Sequence, residues 1–146
     1  MLYFDTSFLT PIFRKEATSN DIEEFLQRQN VGELAISHWT RVEFANVLAR
    51  DVRMKVIESQ TALDIDAQFE ITIAHSFVVL LPDRNDFDLC KRYLQRFETA
   101  LRAGDALHLA IAANHSARAF YTLDRKLLRA GKLLGLPVAA GIRGKE

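Results

Sequence analysis

The 146-residue sequence has little cysteine, proline or glycine, and it contains no long hydrophobic run. Its single cysteine, Cys90, excludes an internal disulfide and a cysteine-based zinc site. With 3 Pro, 6 Gly and no low-complexity segment, the composition is typical of a folded chain rather than a disordered one. No apolar run approaches the ~20 residues that a membrane-spanning helix needs, and the first residues lack the basic start of a secretory signal. We therefore expect a cytoplasmic protein with no membrane partner.

An excess of charge of one sign is also absent, since 19 Lys and Arg balance 19 Asp and Glu. This balance argues against a surface that binds nucleic acid broadly. The distribution is uneven, because residues 118–146 contain seven basic side chains against two acidic ones. The basic ones are Arg118, Arg125, Lys126, Arg129, Lys132, Arg143 and Lys145. Such a segment suits a phosphate-backbone ligand, and it equally suits a solvated helix face that continues into a basic tail.

Short apolar segments alternate with longer amphipathic ones along the chain. The patterns predict strands at 1–4, 34–37, 77–81, 117–123 and 136–140. They predict a helix starting at 5–7 and further helices at 21–28, 38–53, 56–75, 86–97, 106–114 and 124–134. Asn20 or Asp21 is the predicted cap of the helix at 21–28. This alternation predicts one helix-rich α/β domain over 1–146, a three-layer α/β/α sandwich around a mainly parallel sheet of four or five strands.

Two aspartates stand at the ends of predicted strands. Asp5 follows the apolar segment 1–4, and Asp124 follows the strand that ends at Leu123. The carboxyl ends of parallel strands meet at one edge of a sheet, where ligands commonly bind, so these two side chains can lie together. Each of them could instead serve only as the cap of the helix that follows.

Two further acids occupy positions that are expected to face the interior. Glu43 lies early in an amphipathic helix between Val42 and Phe44, and Asp105 precedes the apolar helix 106–114, which we expect to be buried. Ionised carboxylates are rarely buried without a partner, and no Lys or Arg occurs within four residues after Asp105. A cation shared with other carboxylates would offset this desolvation. The alternative for Asp105 is again a helix cap.

A set of carboxylates without a nucleophilic triad is typical of metal-assisted phosphodiester hydrolysis. Mg²⁺ and Mn²⁺ prefer oxygen ligands, and one ion, or a pair ~4 Å apart, can activate water and neutralise phosphate charge. The four histidines, at positions 38, 75, 108 and 115, do not have the spacing of a zinc protease. We interpret His108, within the apolar helix, as a core side chain or as an imidazole that supports the acids.

Four motifs together resemble the PIN-domain family, specifically the VapC-type toxins of toxin–antitoxin pairs. They are Tyr-Phe-Asp-Thr-Ser at 3–7, Thr-Arg-Val-Glu-Phe-Ala at 40–45, Gly-Asp-Ala-Leu-His-Leu-Ala at 104–110, and Tyr-Thr-Leu-Asp-Arg-Lys-Leu-Leu at 121–128. The last is followed by Gly-Leu-Pro-Val at 135–138. Each motif is common alone, but their order and spacing are specific, and the resemblance covers nearly the whole chain.

The resemblance implies a PIN-like fold and a metal-dependent endoribonuclease that uses a metal-activated water. It implies one or two Mg²⁺ or Mn²⁺ ions, and metal-binding and catalytic roles for Asp5, Glu43, Asp105 and Asp124. Of these, Asp5 and Asp105 are the firmest direct ligands. Ser7, Thr6 and Thr122 would hydrogen-bond the acids, and Arg125, Lys126 and Arg129 would contact RNA.

The same resemblance implies a homodimer and a cognate antitoxin whose C-terminal segment lies in a groove near the site. Aromatic side chains of the first helices would either line that groove or pack in the core: Phe8, Phe13, Phe25 and Trp39. Two alternatives stay open, namely a PIN nuclease in RNA processing and a noncatalytic binding module with this fold. A phosphatase with an aspartyl nucleophile is less consistent with the sequence, because it usually has a second Asp where Ser7 stands.

Overall fold

The computed structural model describes residues 1–142 and Gly144. Arg143 and Lys145, which belong to the basic segment noted above, lie outside the described residues, as does Glu146. Within the described part, five parallel strands form one sheet in the order β3-β2-β1-β4-β5. The strands are β1 (Leu2–Phe4), β2 (Leu34–Ser37), β3 (Val78–Leu80), β4 (Ala119–Tyr121) and β5 (Val138–Ala139).

Helices cover both faces of this sheet. The first four are α1 (Thr6–Phe13), α2 (Ser19–Gln27), α3 (His38–Arg53) and α4 (Ser59–Ser76). The others are α5 (Arg84–Leu94), α6 (Ala103–Asn114) and α7 (Arg125–Leu133), with a 3-10 turn at Phe97–Thr99 between α5 and α6. Side chains of α1 to α4 fill one core and those of α5 to α7 fill the other. The predicted three-layer, helix-rich α/β/α sandwich is confirmed.

The alternation of side chains along β1 connects the two cores. Leu2 and Phe4 point into the core that α1 to α4 cover, whereas Tyr3 points into the core that contains α6. All three side chains are at most 3% exposed, as expected for the central strand of a parallel sheet covered on both faces. The strand therefore fixes Tyr3 beneath α6 and delivers Asp5 to the edge where the strand ends.

Several predicted helix boundaries were wrong, and a side-chain cap accounts for one of them. The helix predicted from 86 begins at Arg84, because the Asp83 carboxylate accepts hydrogen bonds from the backbone N–H groups of Asn85 and Asp86. The helix predicted from 106 begins at Ala103 with Arg102 in the cap position, so Asp105 is not a helix cap. The second helix begins at Ser19, after Thr18, and neither Asn20 nor Asp21 caps it.

The strand predicted at 77–81 is shorter than its apolar run. β3 has only three residues and pairs on one side, with β2, which leaves Val78 exposed at the edge of the sheet. Hydrophobicity alone does not distinguish an edge strand from a central one. Among the described residues, no helix combines the length and the apolar character needed to cross a membrane.

Candidate active site

The carboxyl ends of β1 and β4 form one wall of an open pocket. Because the two strands are adjacent and parallel, Asp5 and Asp124 emerge at the same edge of the sheet. α3 contributes Glu43 and α6 contributes Asp105 from the two helical layers. The pocket has a volume of about 220 Å³ and is lined by Asp5, Thr6, Ser7, Thr10, Glu43, Asn46, Val47, Asp105 and Asp124.

Asp5 is both a helix cap and a wall of the pocket. Its Oδ1 accepts hydrogen bonds from the backbone N–H of Phe8 at 3.0 Å and from the Ser7 hydroxyl at 2.8 Å. Its Oδ2 accepts a hydrogen bond from the hydroxyl of Thr122. The residue is 4% exposed, and burial raises the pKa of Asp5 to about 6, although His108 and these hydrogen bonds act in the opposite direction.

Asp124 also caps a helix. Its Oδ1 accepts hydrogen bonds from the backbone N–H groups of Lys126 at 2.8 Å and Leu127 at 3.2 Å, at the start of α7. The capping role and a place in the pocket therefore coexist at both strand-end aspartates. For this pair, the two interpretations of the sequence do not exclude each other.

Glu43 is held by side chains from two other helices. Its Oε1 accepts a hydrogen bond from the Thr6 hydroxyl at 2.7 Å and contacts Nε2 of the buried His108. Burial alone would raise the pKa of Glu43, but the hydrogen bond and charge of His108, together with Thr6, lower it below its ordinary value. Glu43 is therefore ionised at neutral pH in a partly buried position.

The pKa of Asp105 is affected by the other acids of the pocket. Burial raises the pKa of Asp105, and the nearby carboxylates of Asp124 and Glu43 raise it further. His108 and Arg102 act in the opposite direction on this pKa, but among the described residues that line the pocket there is no Lys or Arg. Acids that repel one another in a pocket without a basic side chain are the arrangement that a bound cation stabilises.

The oxygen-bearing side chains that line the pocket are of the types that bind a hard divalent cation, although their ligand atoms do not converge on one point. Within the part of the chain that the structure describes, no three Asp, Glu, His or Cys side chains stand close enough to hold an ion between them. The four acids nevertheless line one open pocket with hydroxyl and amide oxygens, the ligand types that Mg²⁺ and Mn²⁺ prefer. An open pocket also leaves room for the waters that Mg²⁺ retains.

Comparison with known proteins identifies the family. A family model described as PIN domain matches residues 2–133. The chain belongs to the PIN domain family. None of the curated proteins compared with it gives a significant match.

Solved structures share the fold of this PIN domain at low sequence identity. FitAcB from Neisseria gonorrhoeae has a TM-score of 0.76 at 17% identity, over 97% of this chain and 98% of that chain. VapBC-1 from nontypeable Haemophilus influenzae has a TM-score of 0.71 at 15% identity, over 97% and 98%. VapC20 from Mycobacterium tuberculosis, named as a toxin that cleaves the sarcin–ricin loop, has a TM-score of 0.70 at 18% identity, over 90% and 95%.

The remaining candidate residues form two groups, namely hydroxyl side chains that contact the acids and basic side chains outside the pocket. Thr6 contacts Glu43, while Ser7 and Thr122 contact Asp5, so these hydroxyls lie where the sequence interpretation placed them. The three basic candidates do not line the pocket but are exposed at the start and along the outer face of α7, directly after Asp124: Arg125, Lys126 and Arg129.

The four aromatic candidates for a groove differ in burial. Phe8 is fully buried, so for this residue the core alternative holds. Phe13 and Phe25 are partly buried against the same core, and Phe25 also lines another open pocket with Asp21, Glu24 and Arg28. Trp39 is partly exposed, and its indole N–H donates to the carbonyl of Gly104 at 3.2 Å, beside the pocket.

Sequence reasoning missed two polar side chains that line the pocket, Thr10 and Asn46. Asn46 follows Glu43 by three residues on α3, so both lie on one helix face. That spacing is a signal that could have identified Asn46. Thr10, on α1, follows Thr6 by four residues and could have been found in the same way.

Proposed function

We propose that this PIN domain is a metal-dependent endoribonuclease and the toxin of a toxin–antitoxin pair. The observation that carries the proposal is the group of four carboxylates around one open pocket, with the pKa of Asp105 raised by burial and then by Asp124 and Glu43. Membership of the PIN domain family and the likeness to VapC-type structures support it. In this proposal Asp5 and Asp105 hold Mg²⁺ or Mn²⁺, and Glu43 and Asp124 complete the site for one or two ions.

Hydroxyl groups hold two of the proposed metal-binding acids in place. Ser7 and Thr122 fix the carboxylate of Asp5, and Thr6 fixes that of Glu43, so these two side chains are each held in one orientation. When bound, the ion supplies positive charge for the phosphate and lowers the pKa of the attacking water. In the hydrolysis, the water oxygen would form a bond to phosphorus as the bond between phosphorus and the leaving oxygen breaks, and the proton that the water loses would balance the one that the leaving oxygen takes up.

Charge next to the pocket supports a nucleic-acid substrate. Arg125 and Lys126 are exposed and follow Asp124 directly, so phosphates that flank the scissile one can reach them. Arg129 lies one turn further along α7. The resemblance to VapC-type toxins extends the proposal to an antitoxin partner and a homodimer.

The decisive experiment measures RNA cleavage with Mg²⁺ or Mn²⁺ by the wild type, Asp5→Asn and Asp105→Asn. Both substitutions keep the side-chain size, and we expect each to reduce kcat by at least about 100-fold, because ligand removal weakens charge stabilisation of the phosphate. Glu23→Gln, at an exposed position of α2, is the matched control and should be fully active. Undiminished cleavage by both folded Asn variants would contradict the proposal.

The toxin role has its own test in cells. Expression of the wild type should arrest growth, and expression of Asp105→Asn to the same level should not. Co-expression of a small protein encoded beside this chain should restore growth. Normal growth with abundant, RNA-cleaving wild type would favour a role in RNA processing instead.

A further inference from the structure

A chain of buried polar side chains runs beneath the pocket and ends at Glu43. The Tyr3 hydroxyl oxygen lies 2.9 Å from Ser37 Oγ and 2.8 Å from His108 Nδ1. His108 Nε2 contacts Glu43 Oε1. Tyr3 and Ser37 are 0% exposed and His108 is 1% exposed, so water does not compete for these hydrogen bonds. The chain connects β2, β1, α6 and α3 in that order.

Packing fixes the imidazole ring of His108 in this chain. The ring of Tyr3 meets that of His108 edge to face, with centroids 5.8 Å apart, and Phe120 stacks on Tyr3 with centroids 5.4 Å apart. The neighbours of His108 along α6 are apolar, and those from Ala106 to Ala112 are buried. An apolar side chain would fill such a position without the desolvation of two ring nitrogens. Both nitrogens have partners here, which is how a buried imidazole is stabilised.

The contact with Glu43 has a defined direction. An ionised carboxylate only accepts hydrogen bonds, so Nε2 of His108 carries a hydrogen atom and donates a hydrogen bond to Oε1. The Thr6 hydroxyl donates to the same oxygen at 2.7 Å. Oε2 lies on the opposite side of the carboxylate, beside Gly104, where a Cβ would come within 3.1 Å of it. One oxygen of Glu43 is thus held by two donors from other helices, and the side chain has one orientation.

From this geometry we infer that His108 is a positioning residue, which orients the Glu43 carboxylate toward the pocket while Tyr3 fixes the imidazole from below. The inference rests on the proposed metal-dependent site, to which Glu43 would contribute. Hydrogen bonds that orient metal-binding carboxylates are worth about 10–100-fold in metal affinity or activity in general. Tyr3 supports the arrangement because its buried hydroxyl lies 2.8 Å from Nδ1 of His108, and burial raises the pKa of Tyr3 further above its ordinary value.

Two substitutions of His108 by an amide side chain test the contact with Glu43 and the contact with Tyr3 separately. In His108→Gln the side-chain amide reaches the place of Nε2 and still donates to Glu43, but it no longer reaches Tyr3. In His108→Asn the shorter amide reaches the place of Nδ1 and keeps Tyr3 as a partner, but it no longer reaches Glu43. Tyr3→Phe removes only the hydroxyl beneath the ring. His115→Gln is the matched control, because His115 lies just after the same helix and its Nδ1 contacts only the carbonyl of Ile111.

The readouts are the Kd for Mn²⁺ without RNA, kcat at saturating Mn²⁺, and the free energy of unfolding of the metal-free protein. We expect His108→Asn to weaken Mn²⁺ binding and to lower kcat by about 10–100-fold. His108→Gln should recover most of both, Tyr3→Phe should lie between, and His115→Gln should match the wild type. A merely structural histidine would instead give losses of stability in both His108 variants without a change in the Kd for Mn²⁺.

The inference is overturned if folded His108→Asn binds Mn²⁺ as the wild type does, or if His108→Gln loses as much affinity as His108→Asn. Wild-type protein that binds Mn²⁺ through its acids but leaves RNA intact would contradict the proposed ribonuclease, and the Mn²⁺ affinities of the variants would still decide the role of His108. If no His108 variant folds, proton–nitrogen NMR of the metal-free wild type decides it. A slowly exchanging Nε2–H signal of His108 is expected, and its absence would overturn the inference.

Discussion

Asp5 shows at the residue scale how one carboxylate can stabilise the local fold and still strain the metal-free protein. Its hydrogen bonds to Ser7, Phe8 and Thr122 fix the start of α1 against β4. Burial nevertheless raises the pKa of Asp5 from 3.8 to about 6. The folded protein therefore binds a proton at this site more tightly than the unfolded chain does. Without a metal ion, ionised Asp5 destabilises the fold near neutral pH.

Replacing this carboxylate should therefore stabilise the metal-free protein. Between about pH 4 and pH 6 the folded state holds more protons at Asp5 than the unfolded state, so the stability that this group contributes falls as pH rises through that window. Asp5→Asn removes this dependence, and it should be more stable than the wild type at pH 7.5 by up to about 3 kcal/mol. Chemical denaturation of metal-free protein across this pH range measures the difference.

Mn²⁺ should reverse the order of stability, because the ion stabilises the folded state of the wild type by mass action and Asp5→Asn lacks a ligand. Asp21→Asn, at an exposed position in α2, is the control and should follow the wild type under both conditions. A metal-free Asp5→Asn variant that is less stable than the wild type at pH 7.5 would show that capping outweighs the burial of charge.

At the scale of single elements, the sequence predicted what local patterns encode. Apolar periodicity identified the strands and helices, and the acids at strand ends were placed at one edge because parallel strands require it. The start of α6 was misplaced because Arg102 in the cap position carries no capping signal. The contact between His108 and Glu43 joins residues 65 positions apart on two helices, and no local pattern encodes their distance. The sequence thus predicted the four acids that line the pocket and the hydroxyls that contact two of them, but not the long-range contact of His108 with Glu43.

In α7, helix propensity alone gives the wrong prediction for the replacement of Gly131 by Ala. Ala is favoured over Gly within a helix by about 1 kcal/mol, so Gly131 within α7 should be improved by Ala. A Cβ at this position would instead run directly into Cγ1 of Val138 on β5 and come within 3.0 Å of its Cγ2. The close approach of α7 to the edge strand therefore requires glycine.

We expect Gly131→Ala to lower the free energy of unfolding by about 1–3 kcal/mol, the usual effect of overpacking a core. Urea denaturation measures this, with the exposed Lys132→Ala on the same helix as a control that should change it by less than about 0.5 kcal/mol. The double variant Gly131→Ala with Val138→Ala should recover part of the loss, because the smaller side chain makes room for the new methyl group. A stabilised single variant would mean that β5 shifts freely.

At the scale of the whole molecule, a net charge of zero conceals an ordered distribution. Among the described residues, the charged side chains that line the pocket are all acidic, whereas α7 begins beside it with two exposed basic residues, Arg125 and Lys126. Of the other basic residues in this segment, Arg118 forms an ion pair with Glu33 at 3.0 Å. Because helices that follow parallel strands start at the edge where the strands end, the charges of Arg125 and Lys126 face the same side as the pocket.

The two charges at the start of α7 should contribute to RNA binding rather than to the chemical step. In the double variant Arg125→Gln with Lys126→Gln, we expect a raised KM, an unchanged kcat, and a salt dependence of log KM that is lower by about 0.7 for each phosphate that is no longer neutralised.

The matched control, Lys91→Gln with Arg92→Gln, removes two exposed charges near the end of α5, where a helix that follows a strand has returned to the opposite edge of the sheet. Cleavage of a single-stranded RNA at several salt concentrations measures both variants. An equal loss in the control would mean that RNA responds to total charge alone, and a loss of kcat confined to the first variant would place Arg125 or Lys126 at the reacting phosphate.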